Sequence, residues 1–474
     1  MWGAGTLVAW LLWPNPVVVA APADSVVLVA QGAAPQAPGS GDSMWGRIPP
    51  PTAAPTAALR TRPNPWWFYP VRVPYYVAVW PLGVVFDAVG AGVVVLDDNG
   101  VTTTLAGLLD PPSTRLRVGG SIQFSGLEGF GAGLQVVDTR FFGLGNTAEV
   151  KAATTTGGKS KLTVGTSLFL SDRSELQLGA GFRRRSRARY FGIGPDQDDA
   201  PESFFKQTTT WRGVGYNRRL GGQVFGGVHA LFTTIQAEEP RTRDAEQSIS
   251  TIYPEDVAGS DFGFNRRSEG VSLGVSLIHD TTTETGRPQG GGRYALLGER
   301  FEATDGSRLG YFSGHVTLER FIPLWAPYRV LAVKGFWGGI LGSKQVPFQR
   351  LYTNDKPDEL RGYHSFRWRD RSLAGVSTEF RWPIWSGENT SGPGLDAVLL
   401  ADVGQVFGGV DEPAWDSLAL SFGFGLRLIG AGAHLARFEV AFSEEETGVQ
   451  FRFDQVFQHD RDGLLHGRNP VPAR

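Results

Sequence analysis

Between Arg115 and Phe457, large apolar side chains recur at every second position. They do so in segments of about ten residues separated by clusters of Gly, Asp, Asn and Pro. In Val271-Ser272-Leu273-Gly274-Val275-Ser276-Leu277 each odd position is bulky and aliphatic. Leu418, Leu420, Phe422, Phe424, Leu426 and Leu428 share one face of another segment; Ala419, Ser421, Gly423, Gly425 and Arg427 share the other. Phe438, Val440 and Phe442 alternate with Arg437, Glu439 and Ala441, and Val449, Phe451 and Phe453 with Gln450, Arg452 and Asp454. A period of two sends successive side chains to opposite faces of a β-strand.

What covers the apolar face decides the fold. A soluble sandwich shows the same alternation but buries its bulky face against a second layer. Here that face recurs on nearly every segment, and no amphipathic helical pattern is available to pack on it. Beyond the N-terminus no apolar run reaches the ~18 residues of a membrane helix. Roughly sixteen alternating segments can satisfy every backbone hydrogen bond by closing on themselves, with lipid outside and a polar lumen. The expected fold is all-β: a transmembrane antiparallel β-barrel of about 16 strands, preceded by a short N-terminal helical or linker segment. Trp325, Trp337, Trp382 and Trp385 sit near segment ends, as interfacial girdles require. The polar stretches Asp196–Ser203, Glu238–Ser268, Thr281–Gly292 and Ser343–Arg369 are expected as surface loops, with short turns at the opposite end.

Composition removes other classes. The 474 residues include 63 Gly, 14 Trp and 30 Phe but no Cys. Without cysteine there is no disulfide framework, thiolate metal site or thiol catalysis. A formal charge of −2 leaves no basic footprint for nucleic acid. The seven His show no metal-ligand spacing, so no metal and no cofactor is expected. Gly270-Val271-Ser272-Leu273-Gly274 matches G-x-S-x-G, but a nucleophile elbow needs a strand-to-helix turn and Ser272 lies mid-strand. No catalytic residue is assigned. The Arg183-Arg184-Arg185-Ser186-Arg187 run, with Arg189 close by, reads as lumenal and interfacial charge at a strand end.

The flanks differ in character. Residues 1–23 resemble an export signal, with the apolar stretch Leu7–Trp13 and a cleavage-like Ala21-Pro22-Ala23, although the basic start is missing. Residues 24–65 form a linker rich in Pro, Ala and Gly. Residues 66–112, opening on Trp66-Trp67-Phe68-Tyr69, read as a short interfacial or periplasmic segment interrupted by Pro74 and Pro81. The barrel is assigned to 113–457 and a polar C-terminal tail to 458–474.

One loop is recognisable. Leu360-Arg361-Gly362-Tyr363 is followed by Ser377-Thr378-Glu379-Phe380-Arg381-Trp382-Pro383 and then by Leu400-Ala401-Asp402-Val403-Gly404. This order resembles the bacterial surface antigen superfamily of outer-membrane barrels, which includes BamA, TamA and the two-partner secretion transporters. That family carries a V/L-R-G-F/Y tetrapeptide at the tip of an inward-folded loop, then strands with E-x-R and D-x-G patterns. Gly129–Gly133, Phe142–Asn146, Phe191–Gly194, a loosely spaced Asp280, Arg287-Pro288 and Gly292, and the ending GVQFRFDQVF are similar to family segments. The family's assembly factors carry N-terminal POTRA repeats, and the residues ahead of the barrel show no such β-α-α-β-β pattern. The expected match is therefore to barrels lacking them.

The resemblance implies a function without covalent chemistry. Arg361, costly if unpaired in a lumen, is expected to pair with Glu379 and Asp402 and so pin the loop to the barrel wall. Gly362 would allow close approach, and Tyr363, next to Leu360, would wedge against the lumen. Family barrels assist insertion or translocation of polypeptides, or remodel the membrane locally, by opening between first and last strands. The lateral seam would join Arg115–Phe124 or Gly129–Val137 to the last strand, with Val449, Phe451, Phe453 and Phe457. Partners would be outer-membrane lipid, client polypeptides and periplasmic proteins, with the barrel itself monomeric. The alternative is a passive channel in which Arg427, Arg437, Glu439, Arg452 and Asp454 tune solute selectivity.

Overall fold

The computed structural model describes residues 116–452, less short stretches of the connections. The expectations for the export signal, the linker, residues 66–112, the polar tail, Phe453 and Phe457 lie outside the described residues.

The strands follow in chain order: β1 (Leu116–Ser125), β2 (Gly129–Asp138), β3 (Thr147–Thr155), β4 (Lys159–Ser171), β5 (Ser174–Tyr190) and β6 (Ser203–Gly221). Next come β7 (Val224–Glu238), β8 (Arg267–Asp280), β9 (Gly291–Ala303), β10 (Gly310–Pro323) and β11 (Val330–Gly342). A small ribbon of β12 (Tyr352–Thr353) and β13 (Arg369–Asp370) precedes β14 (Ser372–Ser386), β15 (Gly394–Phe407), β16 (Ala419–Gly430), β17 (Ala433–Phe442) and β18 (Thr447–Arg452). Apart from the ribbon, each strand pairs antiparallel with the next, and β1 meets β18 to close a barrel. Sixteen strands make the wall among the described residues. The first strand of the barrel is thus Leu116–Ser125, the earlier of the two segments offered by the sequence.

The alternation appears inside out relative to a soluble protein. Leu273, Val275 and Phe422 are 59%, 61% and 60% exposed, while Ser272, Ser421 and Arg427 between such positions are buried. Bulky apolar side chains are stable in that arrangement only against hydrocarbon. A bulge between Leu428 and Ile429 reverses the phase at the end of β16 and leaves Ile429 buried. Hairpin chemistry is visible at β6–β7, where Gly221 pairs with Val224 across a two-residue turn and Gly222 has φ 52°.

Two sequence expectations need correction. Successive antiparallel crossings put alternate connections at opposite ends. The connections after β5, β7, β11 and β15 share one end, but Thr281–Gly292, after β8, lies at the short-turn end. There Thr281 Oγ1 donates to the Gly292 carbonyl at 2.9 Å and holds the connection to the sheet. Trp382 is buried rather than interfacially exposed, with the Arg329 guanidinium 3.7 Å above its ring. Trp337 is partly exposed, as a girdle residue would be, and Trp325 lies outside the described residues.

At the long-loop end the β7–β8 connection carries a 3-10 turn (Thr242–Gln247) and two short helices, α1 (Ile249–Ile252) and α2 (Pro254–Ala258). Ile249, Phe262 and Phe264 pack with Tyr190, Phe205 and Phe348. The Phe262 and Phe348 rings stack at 4.4 Å and 7°. Phe348 belongs to the β11–β14 connection, so this aromatic cluster ties two long loops together over the barrel mouth.

Candidate functional site

The β11–β14 connection does not stay at the surface. Leu360 adopts φ 53°, a left-handed conformation unusual for a branched residue, and is 1% exposed. This turn aims Arg361 at the inner wall. The Arg361 backbone N–H donates to Asp402 Oδ2 at 2.9 Å. Its Nε and Nη2 donate to the two oxygens of the same carboxylate at 2.9 and 2.6 Å, and Nη1 donates to Glu379 Oε1 at 2.6 Å. The forked guanidinium thus bridges two strands at once, which a lysine ammonium could not do in this geometry. Burial alone would lower the Arg361 pKa, but the Asp402, Glu379 and Glu439 carboxylates outweigh it and hold the guanidinium well above its ordinary value.

The wall supplies more charge than the motif suggests. Glu379 Oε2 also accepts from Arg381 Nη2 and Arg427 Nη1, each at 2.9 Å. Arg427 Nη2 reaches Glu439 Oε1 at 3.1 Å, and Arg437 Nη1 reaches Glu439 Oε2 at 3.1 Å. Spacing of two residues puts Glu379 with Arg381 on β14, and Arg437 with Glu439 on β17, on the same inward face. Register places Arg427 directly opposite Arg437, a repulsive cross-strand pair offset by Glu439 between them. Sequence reasoning brought out Arg361, Glu379 and Asp402, and the structure brings these three together. Arg427, Arg437 and Glu439, which the passive-channel alternative takes as lumen charges, are buried in the same network. Arg381 has no role in the sequence reading beyond its place in the E-x-R pattern; the structure bonds it to Glu379.

Neighbours of the arginine fix the rest of the tip. An added Cβ at Gly362 would stand 2.7 Å from Ser421 Cβ and 3.0 Å from the Phe442 carbonyl. The Gly362 carbonyl accepts from Ser443 Oγ at 2.9 Å, and Tyr363 Oη donates to the Leu420 carbonyl at 3.1 Å. Leu360, Tyr363 and Trp368 pack with Phe336, Leu373 and Val406. The tip also touches the last strand: a Cβ on Gly448 of β18 would come within 2.9 Å of the Arg361 carbonyl. Val449 and Phe451 face outward on β18, and Phe451 pairs with Phe124 of β1.

Further bonds hold the loop around the lumen. Arg350 Nε donates to Ser268 Oγ at 2.8 Å, Lys334 Nζ to Glu359 Oε1 at 3.3 Å, and Tyr352 Oη to the Gly314 carbonyl at 2.9 Å. Arg367 Nε donates to Glu445 in the β17–β18 turn at 2.7 Å. Part of the arginine run joins in, with Arg185 lying 4.6 Å over the Phe366 ring. The arrangement is a plug fastened by ion pairs and hydrogen bonds.

Gly362→Ala tests how tightly the tip fits. Overpacking against the β16 and β17 backbones is expected to cost roughly 1–3 kcal/mol. It should lower the urea midpoint of the barrel; an unchanged midpoint would mean that the tip has room.

The chain matches the Omp85 superfamily domain model over residues 140–456. No curated protein matches it by sequence. Among solved structures it is similar to BamA from Haemophilus ducreyi lacking POTRA domains 1–3, at 13% identity and a TM-score of 0.52, covering 72% of this chain and 69% of that one. It is also similar to CdiB from Escherichia coli, at 10% identity and a TM-score of 0.50, covering 72% of this chain and 63% of that one. At such identities the likeness is one of fold. A family match across most of the barrel, on a wall whose bulky residues face lipid, places the chain in the Omp85 superfamily of bacterial outer-membrane β-barrels.

Proposed function

We propose that this barrel assists insertion or translocation of polypeptides across the outer membrane, or remodels the membrane locally, by opening between β1 and β18. The observation that carries the reading is where the wall closes, with the loop tip against the closing strand. Phe124 of β1 stands opposite Phe451 of β18, so the wall closes between the first and last strands. An edge that opens there exposes backbone N–H and C=O groups in hydrocarbon, where an incoming strand can satisfy them and lipid cannot. The loop tip lies against Gly448 of the same strand, so the plug and the seam are adjacent. Pinning by Arg361 would hold the plug in place and keep the wall intact while the seam moves.

The passive-channel alternative is less well supported. Arg427, Arg437 and Glu439, three of the five charges it needs free in the lumen, are bonded to one another and to Glu379, and Glu439 lies 3.8 Å from Arg361 of the inserted loop; the Arg452 side chain and Asp454 lie outside the described residues.

A disulfide across the seam tests lateral opening. The chain has no cysteine, so Phe124→Cys with Phe451→Cys introduces a single pair. Antiparallel partners stand about 4.5–5.5 Å apart at Cα, within disulfide reach. The oxidised barrel should keep its compact unboiled mobility but lose client insertion into liposomes, with activity restored by reductant. Full activity of the oxidised form would refute lateral opening.

A further inference from the structure

The arginine run on β5 is only partly used by the plug. Leu162, Val164 and Phe182 are exposed on the outer face. Period two therefore turns Lys159 and Lys161 of β4, and Arg183 and Arg185 of β5, towards the lumen. Register sets Lys159 directly opposite Arg185 and Lys161 directly opposite Arg183. The inward positions that flank this block of four cations are Ala153 on β3 and Gln207 and Thr209 on β6.

Other charged rows of the inner wall are built differently. From β8 to β11, Asp280, Arg293, Glu319 and Lys334 stand opposite one another in turn, so the sign alternates at every strand. Arg427 and Arg437 are also opposed, but Glu439 bonds to both. Like charges directly opposite destabilise a sheet. The β4–β5 block sets like against like twice in succession, and an anionic chain laid across it would offset that repulsion.

Place and spacing select the anion. Strand β4 begins and β5 ends at the long-loop end, so the block lies in the outer part of the lumen beside the plug, where Arg185 covers Phe366. Along each strand its two cations are about 6.6–6.8 Å apart, the interval at which an extended polypeptide presents alternate side chains on one face. A small anion meets one or two of the four cations. An extended segment with carboxylates at every second position meets a cation with each. We propose, resting on the reading that the barrel handles polypeptides, that this block is a docking strip for an acidic, extended stretch of the client chain, whose alternate carboxylates pair with Lys159, Lys161, Arg183 and Arg185.

Fluorescence anisotropy of short labelled peptides, titrated with the full chain in detergent, tests the proposal. A Glu-Thr repeat should bind, and its binding should weaken as salt rises. A Glu-Glu-Thr-Thr repeat of the same composition puts carboxylates on both faces and should bind several-fold more weakly. A Lys-Thr repeat should not bind. Lys161→Glu with Arg183→Glu should weaken the Glu-Thr repeat about tenfold or more. Arg184→Glu, on the outward face of β5, should leave it unchanged. Equal binding of the two acidic repeats, binding of the Lys-Thr repeat, or an unaffected double variant would each overturn the proposal. The comparison among peptides uses the unaltered protein and stands even if a variant fails to fold. Docking does not need the seam: the barrel locked by oxidised Phe124→Cys and Phe451→Cys should bind the Glu-Thr repeat as before, so failure of the strip and failure of lateral opening are read separately.

Discussion

Replacing Arg361 by alanine will cost the barrel roughly 3–5 kcal/mol, because it leaves carboxylates unpaired in a buried site. The loss is not that of one bond. Asp402 loses both side-chain donors supplied by Arg361, and Glu379 loses its link to the loop, while both remain 1% exposed or less. Removing one partner of a buried pair exacts the full desolvation cost of the other, which is why the expected effect exceeds that of a surface salt bridge. The compact unboiled form should fall in abundance, and the urea midpoint should drop with an unchanged slope if unfolding stays cooperative. The surviving barrels should conduct more in planar bilayers, since the tip is no longer tied to the wall. Wild-type mobility, abundance and midpoint in Arg361→Ala would show that the remaining bonds, such as Arg350 with Ser268, suffice to hold the plug.

Replacing Glu379 by glutamine will be at least as damaging. Its carboxylate serves Arg361, Arg381 and Arg427 at once. Glutamine is nearly isosteric, so packing is preserved and the charge change is isolated. Arg361 and Arg427 would then keep Asp402 and Glu439 as carboxylate partners, Arg381 would be left with the field of Asp396, and the Arg427–Arg437 pair across β16 and β17 would be less well offset. The expected loss is again roughly 3–5 kcal/mol, read from the urea midpoint. Combining it with Arg361→Ala should recover part of the sum, because the double variant removes a cation and an anion together. Additive losses would show that Arg361 and Glu379 act independently, contrary to the distances between them.

Several features were readable in the chain because they depend on local periodicity. The outward phase at Leu273, Val275, Phe422 and Phe424 follows from a two-residue repeat and from hydrocarbon being the same solvent around the whole wall. The order of the Arg361, Glu379 and Asp402 segments carried the family resemblance. Other features depended on which distant strands become neighbours. Thr281–Gly292 has the composition of a surface loop, and only the count of crossings assigns it to the short-turn end. Trp382 has the position of a girdle residue, yet Arg329 from the preceding hairpin covers it.

By itself the sequence determined the strand class and the alternation of faces, since both are set by neighbours a few positions away, and the resemblance carried by the Arg361, Glu379 and Asp402 segments implied the residues able to anchor a loop. The tertiary structure alone decided that Arg427, Arg437 and Glu439 close around Glu379 and are withdrawn from the lumen, and that the loop tip rests on the last strand. The bond from Arg427 to Glu379 joins residues 48 positions apart, and the contact of Arg361 with Gly448 joins residues 87 apart. Barrel shear and strand register set their distances, and a repeat of two residues looks alike in every register.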